Sequence, residues 1–144
     1  MGRWTGIPKY RNRPTEYAGR RYASKAEAAR AEEHDLRCKA IGGWWIPQVK
    51  LDIGGIPYTI DFLVGEVPAY EDDVDHLTWE VCAEDVKGME KQRDRDIQRL
   101  WAAGHGLPMP LVILKRKGSS WERRVIVPAS GPVPVVRPDS PARD

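Results

Sequence analysis

Two carboxylates stand inside runs that otherwise belong to a buried sheet, and they restrict what this chain can become more than any other feature. The stretch Leu77 to Gly88 reads as a strand ending in Asp85-Val86-Lys87. Side chains alternate across a strand, so Asp85 and Lys87 share one face while Val86 points the other way. Glu84, on the face opposite Lys87, reads as structural. Upstream, Asp61 interrupts the apolar run Tyr58 to Val64. Burying that carboxylate is costly unless it meets a cation or a metal. Two acids and a lysine at converging strand ends suit metal-assisted phosphodiester hydrolysis: carboxylates hold a hard divalent cation and the lysine assists the attack. The plainer alternatives are an ordinary Asp85–Lys87 ion pair and an Asp61 that caps a turn.

At 144 residues, 41% apolar and 31% charged, the chain fits one globular domain with a real core. No apolar run approaches the roughly 20 residues that span a bilayer, and the first residues lack a signal-peptide core, so a cytoplasmic protein with no membrane partner is expected. Charge is unevenly spread. Residues 1 to 30 carry eight Lys/Arg against Glu16 and Glu27, whereas residues 65 to 76 carry five acids and no Lys or Arg. A basic arm beside an acidic loop points to a polyanionic partner bound on one side. Cys38 and Cys82 are too few for a disulfide framework or a four-cysteine zinc site, and His34 with Cys38 makes half a zinc site with no second half in view.

In chain order, residues 1–18 are rich in Gly, Pro, Arg and Tyr and are expected as an extended basic arm. Residues 19–127 are expected as the folded domain. Gly19 to Ala23 suggests a short turn and strand, and Ser24-Lys25-Ala26-Glu27 is a capping-box pattern that starts a helix running to about Ala40, stopped by Gly42-Gly43. Glu27 therefore has two readings, a cap that turns back on the Ser24 amide or an acid aimed at the two strands. Trp44 to Ile53 and Ile56 to Val64, joined by Gly54-Gly55, read as an antiparallel hairpin. Within it Gln48 either looks into the site or bonds a neighbouring backbone. Met89 to Ala103 reads as a crossover helix with Ile97, Leu100 and Trp101 on its apolar stripe, because the next segment, Leu111 to Leu114, is wholly apolar as in a buried parallel pair. A basic turn, Lys115-Arg116-Lys117, leads to a last strand from Trp121 to Val127. Residues 128–144 hold five of the twelve prolines and read as a tail. The fold class is α/β (α+β), a mixed central sheet flanked by helices in the order αβββαβ.

That order, with Asp on the second strand and Asp-x-Lys on the third, resembles the PD-(D/E)XK superfamily with its restriction-endonuclease-like core. Within it the chain resembles small phage-encoded nucleases related to Holliday junction resolving enzymes. The likeness runs from Lys9 to Leu114 through Lys9 to Asn12, Gly19 to Tyr22, Ser24 to Ala28, Gln48, Ile60 to Phe62 and Glu84 to Gly88. It departs from the pattern at Ile60, where a proline often precedes the first acid. The resemblance implies that Asp61 and Asp85 ligate Mg²⁺ or Mn²⁺ with the Val86 carbonyl, that Glu27 completes the metal site, and that Lys87 positions or activates the attacking water. It implies an endonuclease that leaves 5′-phosphate and 3′-hydroxyl ends.

Sequence-specific restriction needs base-reading elements beyond the core, for which this chain has little room. Lys9, Arg11, Arg13, Arg20, Arg21, Lys25, Lys115, Arg116 and Lys117 are instead expected to contact phosphates, which favours recognition of shape, such as a four-way junction. The rivals are a same-fold nuclease acting on ends, flaps or nicks, and a non-catalytic DNA-binding module. Symmetric cutting of two strands requires two sites, so a twofold homodimer is expected, with Trp44, Trp45 and Trp121 at its interface or in the core. Light scattering with size-exclusion chromatography should give the dimer mass at micromolar concentration; a monomer alone would remove this expectation.

Overall fold

The computed structural model describes residues 14–65 and 81–129. It opens with a small hairpin of strands β1 (Thr15–Tyr17) and β2 (Arg20–Tyr22). The two-residue turn between them, Ala18-Gly19, has φ of +51° and +81°, the primed geometry that matches the twist of a tight hairpin. The basic arm expected through residue 18 therefore ends earlier, because Thr15–Tyr17 pairs with the strand that follows. Lys9, Arg11 and Arg13 lie outside the described residues.

Helix α1 (Lys25–Ile41) starts where the capping pattern places it, with the Ser24 hydroxyl accepting the Glu27 N–H at 3.1 Å. Its C-terminus stops at Gly42, whose φ is +89° and whose N–H donates to the Cys38 carbonyl. The stripe it buries is unusual in content: Ala28 and Ala31 pack into the core of the sheet, and Arg30 and His34 are buried on the same helix.

Strands β3 (Trp44–Ile53) and β4 (Ile56–Gly65) form the expected antiparallel hairpin across Gly54-Gly55. β5 (Val81–Val86) pairs antiparallel with β4; of the run read as its beginning, residues 77–80 lie outside the described residues. Helix α2 (Gln92–Ala102) crosses over to β6 (Leu111–Lys117), which runs parallel to β5 with Leu111 to Leu114 all buried, as expected of a parallel pair. β7 (Ser120–Ile126) closes the sheet in the order β3-β4-β5-β6-β7. The fold is thus mixed α+β, a five-stranded mixed sheet with two helices.

α2 begins three residues later than the predicted helix, because Asp94 accepts the Lys91 N–H at 2.8 Å and fixes the first turn there. Past the last strand, Pro128 is buried and the Ala129 N–H donates to the Ala102 carbonyl at 2.8 Å, so the folded unit extends two residues beyond the expected boundary. No helix among the described residues is long and apolar enough to cross a membrane.

The sheet has a core on each face. Tyr22, Ala28, Ala31, Phe62, Val64, Cys82, Val86, Val112 and Leu114 pack together on the α1 side, with Trp45 and Trp121 against them. Ile53, Ile60, Ala83, Ile97, Trp101, Leu111 and Ile113 pack on the α2 side. Trp44 is 38% exposed, and its indole lies where a Cβ on Gly65 would stand, 1.9 Å away, so this close approach requires glycine.

β5 alternates cleanly between the two cores; β4 does not. Ile60 and Phe62 are two residues apart, yet they belong to opposite cores, whereas a regular strand would put them on one face. The same switch occurs on β3 between Trp45 and Val49, and the ladder skips one position, Gln48 opposite Asp61, with the register unchanged on either side. Gln48 has φ of +56°, a conformation that costs a non-glycine residue about 1 kcal/mol. The local reversal is what turns Asp61 out of the regular ladder.

The predicted structural role of Glu84 is met on the α1 face. It is fully buried and accepts from Arg30 Nε at 2.9 Å and Nη2 at 2.6 Å, while His34 Nε2 lies 2.6 Å from its Oε1. Burial alone would push its carboxyl up; Arg30 and His34 outweigh that and hold it well below its ordinary 4.5. Removing the charge takes the buried counter-charge from Arg30, which keeps Glu33 at 2.9 Å, so Glu84→Gln should cost about 3 kcal/mol at pH 7. A carboxyl with a lowered folded value stabilises above its unfolded value and loses that contribution as pH falls through the folded one. Urea melts should accordingly show the full cost at pH 7, where His34, lowered by burial, is neutral, and a cost that shrinks below pH 4.5. A cost that ignores acidification would mean the ion pair is not what Glu84 contributes.

Candidate active site

The ladder of β4 with β5 runs from Gly65↔Val81 to Phe62↔Glu84 and stops there. One residue further on, side chains take over from the backbone. Asp61 Oδ2 accepts the Val86 N–H at 2.7 Å, and Asp85 Oδ1 accepts the Asp61 N–H at 3.1 Å. Each acid thus holds a backbone amide of the opposite strand, and the two carboxylates stand together in the fork where the strands part.

Their charge is poorly compensated. Burial pushes the Asp61 carboxyl well up, and the neighbouring Asp85 and Glu27 push it further. Burial likewise raises Asp85, outweighing the ammonium of Lys87 3.4 Å away. Glu27 is raised by burial too, against the lowering effect of the Ala23 N–H that it accepts at 3.4 Å. Glu27 thus caps the helix, through Ala23 and not Ser24, and it lies close enough to Asp85 to be raised by its charge. Among the described residues no three His, Cys, Asp or Glu side chains converge closely enough to hold a metal ion. As the side chains stand, the arrangement is two acids with a third held back by its capping bond.

Lys87 shares the Asp85 face, as alternation predicts, and it is held by two partners that alternation does not reveal. Its Nζ donates to the Tyr58 hydroxyl at 2.5 Å and to Asp94 Oδ1 at 3.0 Å. The Tyr58 hydroxyl in turn donates to Asp85 Oδ2 at 2.7 Å. Burial would lower the lysine, but Asp85, Tyr58 and Asp94 raise it above its ordinary value, so it stays cationic at any working pH. A cationic lysine cannot accept a proton; its chemistry is that of a fixed positive charge and donor. Tyr58 is raised by burial and by Asp85, so its hydroxyl keeps its proton. In the sequence, Asp94 is legible only as an acid in a helix's first turn.

The other predicted residues divide. Gln48 does not face the acids: its Nε2 donates to the Arg21 carbonyl at 3.0 Å and its Oε1 accepts from Arg20 Nη1 at 3.1 Å, which ties the β1–β2 hairpin to β3. Arg20, Arg21 and Lys25 are exposed on that hairpin and at the start of α1. Lys115, Arg116 and Lys117 follow the buried part of β6, beyond the end of β5 that carries Asp85. Arg116 is committed within the fold, to Glu33 at 3.1 Å and over the Trp121 ring, and Lys117 lies 3.6 Å from Glu122. His34 faces Glu84, not Cys38.

Comparison with protein-family models, curated proteins and solved structures finds no match for this chain.

Under-compensated acids have a measurable sign. A carboxyl raised in the folded state makes folding less favourable as pH rises through the raised value. Asp61→Asn keeps an acceptor for the Val86 N–H and removes the charge, so it should stabilise the metal-free protein by about 1 kcal/mol at pH 7. The gain should fade near pH 4, where the wild-type carboxyl is also neutral. Urea denaturation in EDTA measures it; a destabilised variant would mean that the Asp61 charge is already matched.

Proposed function

We propose that this protein is a metal-dependent DNA endonuclease that hydrolyses phosphodiester bonds in branched DNA, with a restriction-endonuclease-like core and Holliday junction resolution as its activity. One observation carries the reading: Asp61 and Asp85 are fixed side by side at a strand fork, both raised by burial, with Lys87 as the sole cation bonded to the pair among the described residues. Buried negative charge of this kind favours a divalent cation, and two carboxylates that still have free lone pairs are suitable oxygen donors for Mg²⁺.

When bound, such a cation supplies activation of water and neutralises charge on the phosphoryl oxygens. The remaining roles belong to the chain. Asp61 and Asp85 hold the cation, with the Val86 carbonyl beside them. Lys87 orients the attacking water and steadies the negative charge that grows on the phosphorus oxygens. Tyr58 and Asp94 keep its ammonium in place, a positioning role. Glu27 joins the metal site by giving up its bond to the Ala23 amide. Arg20, Arg21 and Lys25 contact phosphates and bind DNA by shape, as do Lys115 to Lys117 where their ion pairs allow. A same-fold enzyme acting on ends, flaps or nicks would use the same centre.

Labelled four-way junction and linear duplex of equal sequence, incubated with Mg²⁺, should separate the readings. Wild type should cut opposed strands of the junction, and Asp85→Asn should bind it while cutting at least about a hundredfold more slowly. Mg²⁺ should also raise the melting temperature of wild type and leave that of Asp85→Asn unchanged. Binding by both proteins with no cutting of any DNA in Mg²⁺ or Mn²⁺ would replace the nuclease with a binding module.

A further inference from the structure

The outer half of the β3–β4 hairpin and the first turn of α2 enclose an open cleft of about 380 Å³, lined by Lys50, Leu51, Pro57, Tyr58, Thr59, Lys87, Arg93 and Asp94. Nothing in the sequence patterns singled out Lys50 or Arg93. Three cations line the cleft against one carboxylate, and that carboxylate is already used, by Lys87 Nζ at 3.0 Å and by the Lys91 N–H at 2.8 Å. Lys50 has no ion-pair partner among the described residues and is exposed. Arg93 is tethered at the rim by neutral groups: it donates to the Pro57 carbonyl, and its guanidinium sits 5.8 Å from the centre of the Tyr58 ring. Its charge is therefore placed but not neutralised. The Tyr58 hydroxyl connects the cleft directly to Asp85.

An opening of this size, with fixed positive charge at its wall, matches a phosphate group with its attached sugar. We infer that this cleft holds an internal backbone phosphate of the DNA strand, next to the phosphate attacked at Asp61 and Asp85. The assignment rests on the reading of the acid pair as a nuclease centre. It adds Lys50 and Arg93 to the binding surface and sets the strand's path: from Arg20 and Lys25 on the hairpin side, over the acids, to the first turn of α2.

The test is equilibrium binding of labelled duplex across a salt series, with Asp85→Asn as the common background so that no cutting intervenes. Adding Lys50→Ala and Arg93→Ala together should weaken binding at least about tenfold and make the slope of log affinity against log salt shallower by about 1 for each phosphate that is no longer neutralised. Arg99→Ala, which removes one positive charge at a side chain 73% exposed and outside the cleft, should leave both nearly unchanged. Equal effects from Arg99→Ala, or none from the cleft pair, would overturn the assignment. So would a loss confined to duplexes with 5′-phosphate ends, which would make the cleft a terminal-phosphate site. The two proposals fail separately: weakened binding in a chain that never cuts removes the nuclease and keeps the cleft, and unchanged binding in a chain that cuts removes the cleft alone.

Discussion

Two adjacent acids on one strand meet opposite fates, and the fold depends on the difference. Glu84 and Asp85 point to opposite faces of β5 because the strand alternates. Glu84 enters the α1 face, where Arg30 and His34 surround it and lower its carboxyl. A buried carboxylate without those partners would cost several kcal/mol, so the helix can dock only in the register that brings Arg30 and His34 over it. Asp85 enters the α2 face with a single cation at 3.4 Å, and burial wins. The helix–sheet interface thus has its charges matched, whereas the fork between β4 and β5 is left with excess negative charge.

The excess is held in place by backbone bonds, which is why it does not simply relax outward. Asp61 can reach the Val86 amide because β3 and β4 reverse their faces together at Gln48 and Asp61. The cost of a left-handed Gln48 is met by its bonds to Arg20 and the Arg21 carbonyl, which also fasten the β1–β2 hairpin over the strand. Local strain, hairpin docking and acid placement are therefore one linked arrangement. Strain of this kind concentrates at functional sites because only a surrounding structure that over-determines it can keep it.

Much of the scaffold is legible in the sequence because it follows from local rules. Ser24 and Gly42 bound α1, Gly54-Gly55 turn the hairpin, and the apolar run Leu111 to Leu114 marks the parallel pair. The pairing of Asp85 with Lys87 follows from alternation alone. What stays hidden depends on contacts between distant segments. Tyr58 and Asp94, 36 residues apart, meet only after the crossover helix has packed, and nothing in either segment marks them as partners of Lys87. Gln48 stands among the site candidates by its position in the motif, yet its side chain turns to the hairpin because the left-handed backbone redirects it. For Glu27 the sequence poses a choice between cap and acid site, and its carboxylate takes the Ala23 amide while lying near enough to Asp85 to be raised by it.

The position of Lys87 narrows the chemistry more than the acids do. An ammonium that donates to a tyrosine hydroxyl and an aspartate while facing a second aspartate is stabilised in its charged form by those three groups, against the effect of burial. Without a metal on the acids, the same contacts that hold it also keep its proton. What it can offer is a fixed positive charge at the inner end of a cleft whose other cations, Lys50 and Arg93, have no carboxylate partner among the described residues. The acids, on β4 and β5, and these cations, on β3 and α2, are bridged by Tyr58, which lines the cleft and donates to Asp85. Neither sign is neutralised by the other, because Asp94 and the tyrosine hydroxyl stand between them. A ligand that carries negative charge along its backbone and brings a cation to the acids would relieve both at once, whereas a simple anion or a lone metal ion would relieve only one.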